Sequence, residues 1–325
     1  MTGIFKANNP NNNFLLFVYG LALKIPLFLH PQLPRLQSSD GILYKSFANY
    51  MISSFGNMPV IFGIISFILM FLQAVSFNKL VNDHRMLQKP NYLTGMSYLL
   101  VTSLFSEWFA LSAALIANTI LIWVWSKLST LHNNNAAKTT IYNIGLVLGL
   151  AAFFYQPAIV FTLLFIVGMA ITRPFRINEW LIGLMGILTS FYFFAAWLFL
   201  NGGWKAYKFR GIKISLPAFH ETRWALAALI MVLLTMLLGA FFIRGNMRRQ
   251  VVQTRKSWQL IYLYLIVAAF VPFLNSSNFN TWILVAIPAS LIMGAAFFYP
   301  DKKWFPALMH WGMAALSIAI GYFIR

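Results

Sequence analysis

The chain of 325 residues contains no cysteine. Disulfides, thiolate metal sites and cysteine nucleophiles are therefore excluded. Charge is also scarce: 9% of the residues are charged, against about 25% in a soluble domain. Acids are the rarest of all, with 6 Asp and Glu against 24 Lys and Arg. No repeat of the solenoid kind is visible, and no glycine-rich loop could cradle a phosphate. His30, His84, His132, His220 and His310 are scattered without metal-ligand spacing, so no histidine metal site is expected.

What the chain has instead is apolar length. Hydrophobic residues make up 60% of it and aromatics 17%. A bilayer core asks for roughly 20 mostly apolar residues per helical span, and the runs 59–77, 180–200, 224–243 and 282–298 meet that demand outright. Strands of alternating polarity, as a membrane barrel would need, are missing. The expected fold is an all-α polytopic membrane protein, because only backbone that satisfies its own hydrogen bonds crosses lipid. Eleven runs are plausible spans: 14–30, 58–78, 93–106, 109–126, 141–155, 158–172, 179–200, 223–243, 258–274, 281–298 and 305–323. The first lacks a small-residue cleavage site and reads as a retained span, not a signal peptide.

The net charge of +18 is not gathered into a stripe but punctuates the apolar runs. That pattern fits loops held in the cytoplasm and attracted to anionic lipid headgroups, and it gives no reason to expect nucleic acid as a partner. An N-terminus inside places the larger share of the cations in the cytoplasm, including the cluster RGNMRRQVVQTRK. On this reading residues 1–13, with the tract NNPNNN, form a disordered cytoplasmic tail. Residues 14–200 carry about seven spans, 201–222 form an outer loop, and 223–325 carry about four more. The expected location is a bacterial inner membrane.

Chemistry has few places to live. Asp83, Glu179 and Asp301 stand beside basic residues at cytoplasmic span ends and read as solvated interfacial charges, while Glu221 precedes the eighth span and could serve as an acid near a helix start or pair with Arg223. Asp40 and Glu107 are left at the outer interface. Asp40 precedes a run whose apolar residues recur at helical spacing, Ile42, Leu43, Phe47, Tyr50, Met51 and Phe55. That run predicts an amphipathic helix on the outer surface, with Asp40 or Ser39 as its N-cap. The same carboxylate could instead take a proton from an acceptor hydroxyl. Lys24 falls within the first span, where a cation costs about 2.5–3.5 kcal/mol on insertion scales. It either snorkels outward or faces a cavity and pairs with Glu107 or Asp40, and Pro26 loosens the helix beside it. The stretch from Trp204 to Lys213 holds Lys205, Lys208, Arg210 and Lys213 among three aromatics. It could bind a lipid phosphate or simply rest on anionic headgroups.

The order of these features resembles the C-type membrane glycosyltransferase superfamily. The likeness is carried by an N-in span, an outer loop with an acid and a surface helix, a cytoplasmic loop with NDHR, and the hairpin GLVLGLAAFFYQPAIVFTLLFIVGMAITRPF. It covers roughly residues 14–200 and is mostly architectural. It implies a shared module of seven spans and a polyprenyl-phosphate-linked sugar as donor. Asp40 would be the base or the contact of a divalent cation, and Lys24, Arg35, Glu107 and the Lys205–Lys213 stretch would lie toward the substrate. Two departures stand out: Asp40 has no acidic neighbour, and no soluble outer domain is present to recognise an acceptor. The alternatives are a non-catalytic scaffold that packs envelope proteins through its helices, and a transporter of lipids or small solutes.

Overall fold

The computed structural model describes residues 1–133, 137–202, 214, 223–274, 279–302 and 304–322. Thirteen α-helices follow one another among them: α1 (Thr2–Lys6), α2 (Asn12–Leu29), α3 (Ile42–Phe55), α4 (Val60–Asp83), α5 (Leu93–Val101), α6 (Ala113–Thr130), α7 (Ala137–Phe154), α8 (Thr162–Thr172), α9 (Ile177–Leu200), α10 (Arg223–Met247), α11 (Val252–Phe270), α12 (Ala286–Phe298) and α13 (Trp304–Tyr322). No strand forms among the described residues. Two isolated bridges occur, Asp40 with Tyr155 and Ile214 with Leu274. The fold is an all-α polytopic membrane protein, and nine described helices are long and apolar enough to cross a bilayer.

Two of the eleven runs fold as shorter helices. The run 93–106 gives α5, whose 9 residues rise only about 14 Å. The run 158–172 gives α8, preceded by the 3-10 segment Gln156–Phe161. Every residue of α5 is buried, so its ends are capped by protein instead of water. At the N-terminal end Asn78 Oδ1 accepts from Gly95 N at 3.1 Å, Asn91 Oδ1 accepts from Leu93 N at 3.0 Å, and Phe5 O accepts from Tyr92 N at 2.8 Å. At the other end the Thr102 and Ser103 hydroxyls bond back to Leu99 O. Such back-bonding competes with the helical ladder, and the helix stops there.

Close packing of the spans rests on glycine. Gly145 and Gly149 of α7 face Gly183, Gly186 and Ser190 of α9. A Cβ on Gly145 would stand 2.3 Å from Gly183 O, and one on Gly186 would stand 2.3 Å from Tyr142 O. Small residues at this spacing let two backbones approach in lipid, where van der Waals contact drives association. Gly239 of α10 meets Ile292 O of α12 in the same way. α12 is buried along its whole length and forms the centre of the bundle.

The N-terminal segment is not the disordered tail its composition predicts. Phe5 is 1% exposed, Lys6 Nζ donates to Phe298 O at 2.6 Å, and Asn12 Nδ2 donates to Ile4 O and Ala7 O. The buried ring of Phe5 and the amide of Asn12 supply contacts that asparagine content alone does not reveal. Lys79, Arg85, Lys127, Arg173 and Arg244 lie near span ends on what we term the basic end, opposite the Asp40 end.

Candidate functional site

At the Asp40 end the loop before α3 crosses the turn between α7 and α8 as a short backbone pair. Gly41 N donates to Phe154 O at 2.8 Å, and Gln156 N donates to Ser39 O at 3.1 Å. Only glycine fits at 41, since a Cβ there would lie 2.0 Å from Phe153 O. The crossing buries Asp40, leaving 4% of it exposed. Asp40 is not the cap of α3. Gly41 holds that position without a side-chain bond, and the Asp40 carboxylate turns back to accept from Gln37 N at 2.6 Å. Burial pushes the Asp40 carboxyl up to about 6, against the pull of the Gln37 amide and the Lys45 charge.

Two phenols stand within the field of this carboxylate. Tyr44 donates to Leu111 O at 2.8 Å. The Tyr155 hydroxyl is buried with no hydrogen-bond partner among the described residues. Burial, and then the Asp40 charge, hold both phenols above their ordinary range. Directly beyond Gly41 an apolar groove of about 450 Å³ runs between α3, α7 and α9, lined by residues including Leu43, Ser46, Leu150, Phe153, Phe193 and Trp197. Ile42, two residues after Asp40, lines this groove, so the carboxyl is held near the place where the polar end of an amphipathic molecule with its tail in the groove would rest.

Lys24 does not snorkel, and among the described residues no ion pair joins it to an acid. It is 0% exposed, and its Nζ donates to Thr102 O at 3.0 Å while lying 5.0 Å from the centre of the Phe109 ring. Ion pairs between described residues join Arg173 and Arg176 to Glu179. The ring face and the partial negative charge at the end of α5 replace the carboxylate that the composition suggested. Nearby, Ser317 Oγ donates to Ser103 O at 3.0 Å, so α2 and α13 together satisfy the carbonyls where α5 ends. A cavity of about 660 Å³ is lined by residues including Pro26, His30, Ser106, Phe109 and Gly321, and Lys24 touches it only through the Phe109 ring.

Segment 102–112 connects the two sites: Thr102 takes Lys24, Phe109 covers it, and Leu111 takes Tyr44 beside Asp40. Arg35 and Glu107 are exposed at the same end. Lys205, Lys208, Arg210 and Lys213, with Glu221, lie outside the described residues. Gln37, Tyr44, Tyr155 and Phe109 were not singled out from sequence. Tyr155, next to Gln-Pro at a hairpin turn, carried the one usable signal. Among the described residues no three His, Asp or Glu side chains gather as a metal site would require. Asp40 gives one oxygen, Oδ2, to Gln37 N.

These features define a polytopic helical membrane protein with a buried carboxyl beside a lipid-facing groove. Residues 41–325 match the model of a family described as a family of unknown function (DUF6427), and the chain belongs to that family. No curated protein and no solved structure matches the chain.

Proposed function

We propose that this protein transfers a sugar from a polyprenyl-phosphate-linked donor to an acceptor hydroxyl at the outer face of a bacterial inner membrane. The observation that carries the reading is the buried carboxyl of Asp40, two residues before Ile42, which lines the apolar groove between α3, α7 and α9. The prenyl tail would occupy the groove, which leaves the phosphate and sugar at the interface. In the reaction the bond from the anomeric carbon to the phosphate oxygen breaks, and the lipid phosphate leaves with its electron pair. The acceptor oxygen bonds to the anomeric carbon, and Asp40 receives the acceptor proton. A carboxyl with a pKa near 6 is ionised at neutral pH, yet is a stronger base than an ordinary aspartate.

A second reading has its own observation. The backbone crossing and the bond to Gln37 give Asp40 a structural task, docking α3 on the α7–α8 turn, as a non-catalytic scaffold for envelope proteins would need. Asp40→Asn separates the two. Vesicles holding the purified variant, given radiolabelled polyprenyl-phosphate sugars, should show transfer reduced at least about 100-fold, in the range of general-base catalysis, with expression and a cooperative melting transition retained. Transfer equal to that of the parent chain would remove Asp40 as the base.

A further inference from the structure

A second groove lies at the basic end, between α4 and α6, and faces the lipid. It has a volume of about 440 Å³. Its walls are apolar, with Leu69, Leu72 and Ile122, and Leu72 is 54% exposed. Its floor is polar but satisfied: Gln73 Nε2 donates to Leu115 O at 2.8 Å and to Thr119 Oγ1 at 2.7 Å. Its mouth carries Lys79 and Asp83, both exposed, with Ser76 and Ser126 between them and the walls. Trp123 stands at the rim, with Lys127 Nζ 5.6 Å from its ring centre. The order along the groove is that of a phospholipid: chain-binding walls, hydroxyl-bearing middle, charged mouth and interfacial tryptophan.

The mouth carries both signs, and that selects the headgroup. Lys79 and Asp83 are one turn apart on one face of α4, with Cβ atoms roughly 5–6 Å apart. No ion pair joins them among the described residues. A phosphate held by Lys79 leaves a two-carbon ethanolamine arm to bring its ammonium to Asp83. An anionic headgroup without an amine would meet Lys79 but set negative charge against Asp83. A trimethylated amine has no N–H to donate and is wider.

We propose that the α4–α6 groove is a binding site for a phospholipid bearing a primary amine, of the phosphatidylethanolamine class. The site stands apart from Asp40, at the opposite end of α4, and does not depend on the transferase reading. The test is native mass spectrometry of the full chain, offered equal amounts of dioleoyl phosphatidylethanolamine, phosphatidylcholine and phosphatidylglycerol. The ethanolamine lipid should be retained at least about fivefold over the other two, a difference of roughly 1 kcal/mol. Lys79→Gln and Asp83→Asn, both at exposed positions, should each reduce it to the level of the choline lipid. Ser76→Trp, which fills the groove, should remove all three. Equal retention of all three lipids by the parent chain, or undiminished preference in both charge variants, would overturn the proposal. So would a preference for phosphatidylglycerol that Asp83→Asn strengthens.

Discussion

A carboxyl buried beside two phenols binds its proton more tightly than the same group in an unfolded chain. For Asp40 the folded value near 6 stands above the ordinary 3.8, so between those values the native state holds more protons than the unfolded one. Stability therefore falls as pH rises through that window and is lowest, as far as Asp40 contributes, above about 6. Catalysis through the carboxylate runs the other way, and transfer should rise with pH through the same value. Asp40→Asn should flatten the stability profile and abolish transfer together. Thermal midpoints and transfer rates across that range, for parent and variant, check both. Lys24 makes a different demand. Its replacement by Met keeps the volume and leaves one buried carbonyl, Thr102 O, short of a donor, a cost of about 1–3 kcal/mol. Lys24→Glu sets a carboxylate against that carbonyl and the negative end of α5. The expected order of thermal midpoints in detergent is parent, then Lys24→Met, with Lys24→Glu failing to fold. Equal tolerance of Glu and Met would mean the sign of the charge at this position is irrelevant.

Among the elements, α7 and α9 show how much of the fold depends on what is missing from side chains. Gly145→Leu or Gly186→Leu would drive a side chain into backbone of the facing helix, at a cost of 1–3 kcal/mol or more, on the order of ordinary overpacking. Gly245 has nothing within 4 Å of its Cβ position, so Gly245→Leu is the matched control and should leave the midpoint unchanged. The motif GLVLG that makes this seam is legible in the sequence, as are the nine long spans, because apolar length and small-residue spacing are local properties. The run behind α5 reads as one of the short ones in the sequence, but where its helix ends does not. Leu104 and Phe105 continue the run past Val101, and the helix ends because the Thr102 and Ser103 hydroxyls bond back to Leu99 O while distant groups cap the rest. Lys24 could be flagged as an intramembrane cation, but its partner is a carbonyl 78 residues away, and a carbonyl has no sequence signature. Asp40 was legible as an unusual acid. Its burial was not, since that comes from the α7–α8 turn crossing over Gly41.

At the scale of the whole molecule, the transferase reading needs the Asp40 loop and the basic-aromatic stretch from Trp204 to Lys213 on one side of the bilayer. A shared phosphate cannot otherwise reach both. The positive-inside bias assigns both to the outer side and the cluster around Arg248 to the cytoplasm. The absence of cysteine makes this directly measurable, because a single introduced thiol is the only one in the chain. Ser38 and Arg248 are exposed, and Ser38→Cys, Lys205→Cys and Arg248→Cys form the informative set. In intact spheroplasts a membrane-impermeant maleimide should label the first two and spare the third, which should react only after permeabilisation. Labelling of all three from outside would invert the assigned topology of the second half. If Ser38→Cys and Lys205→Cys react on opposite sides, the loop's cations cannot hold the phosphate of a donor attacked beside Asp40, and the proposed transfer falls while the lipid groove at α4 and α6 is untouched.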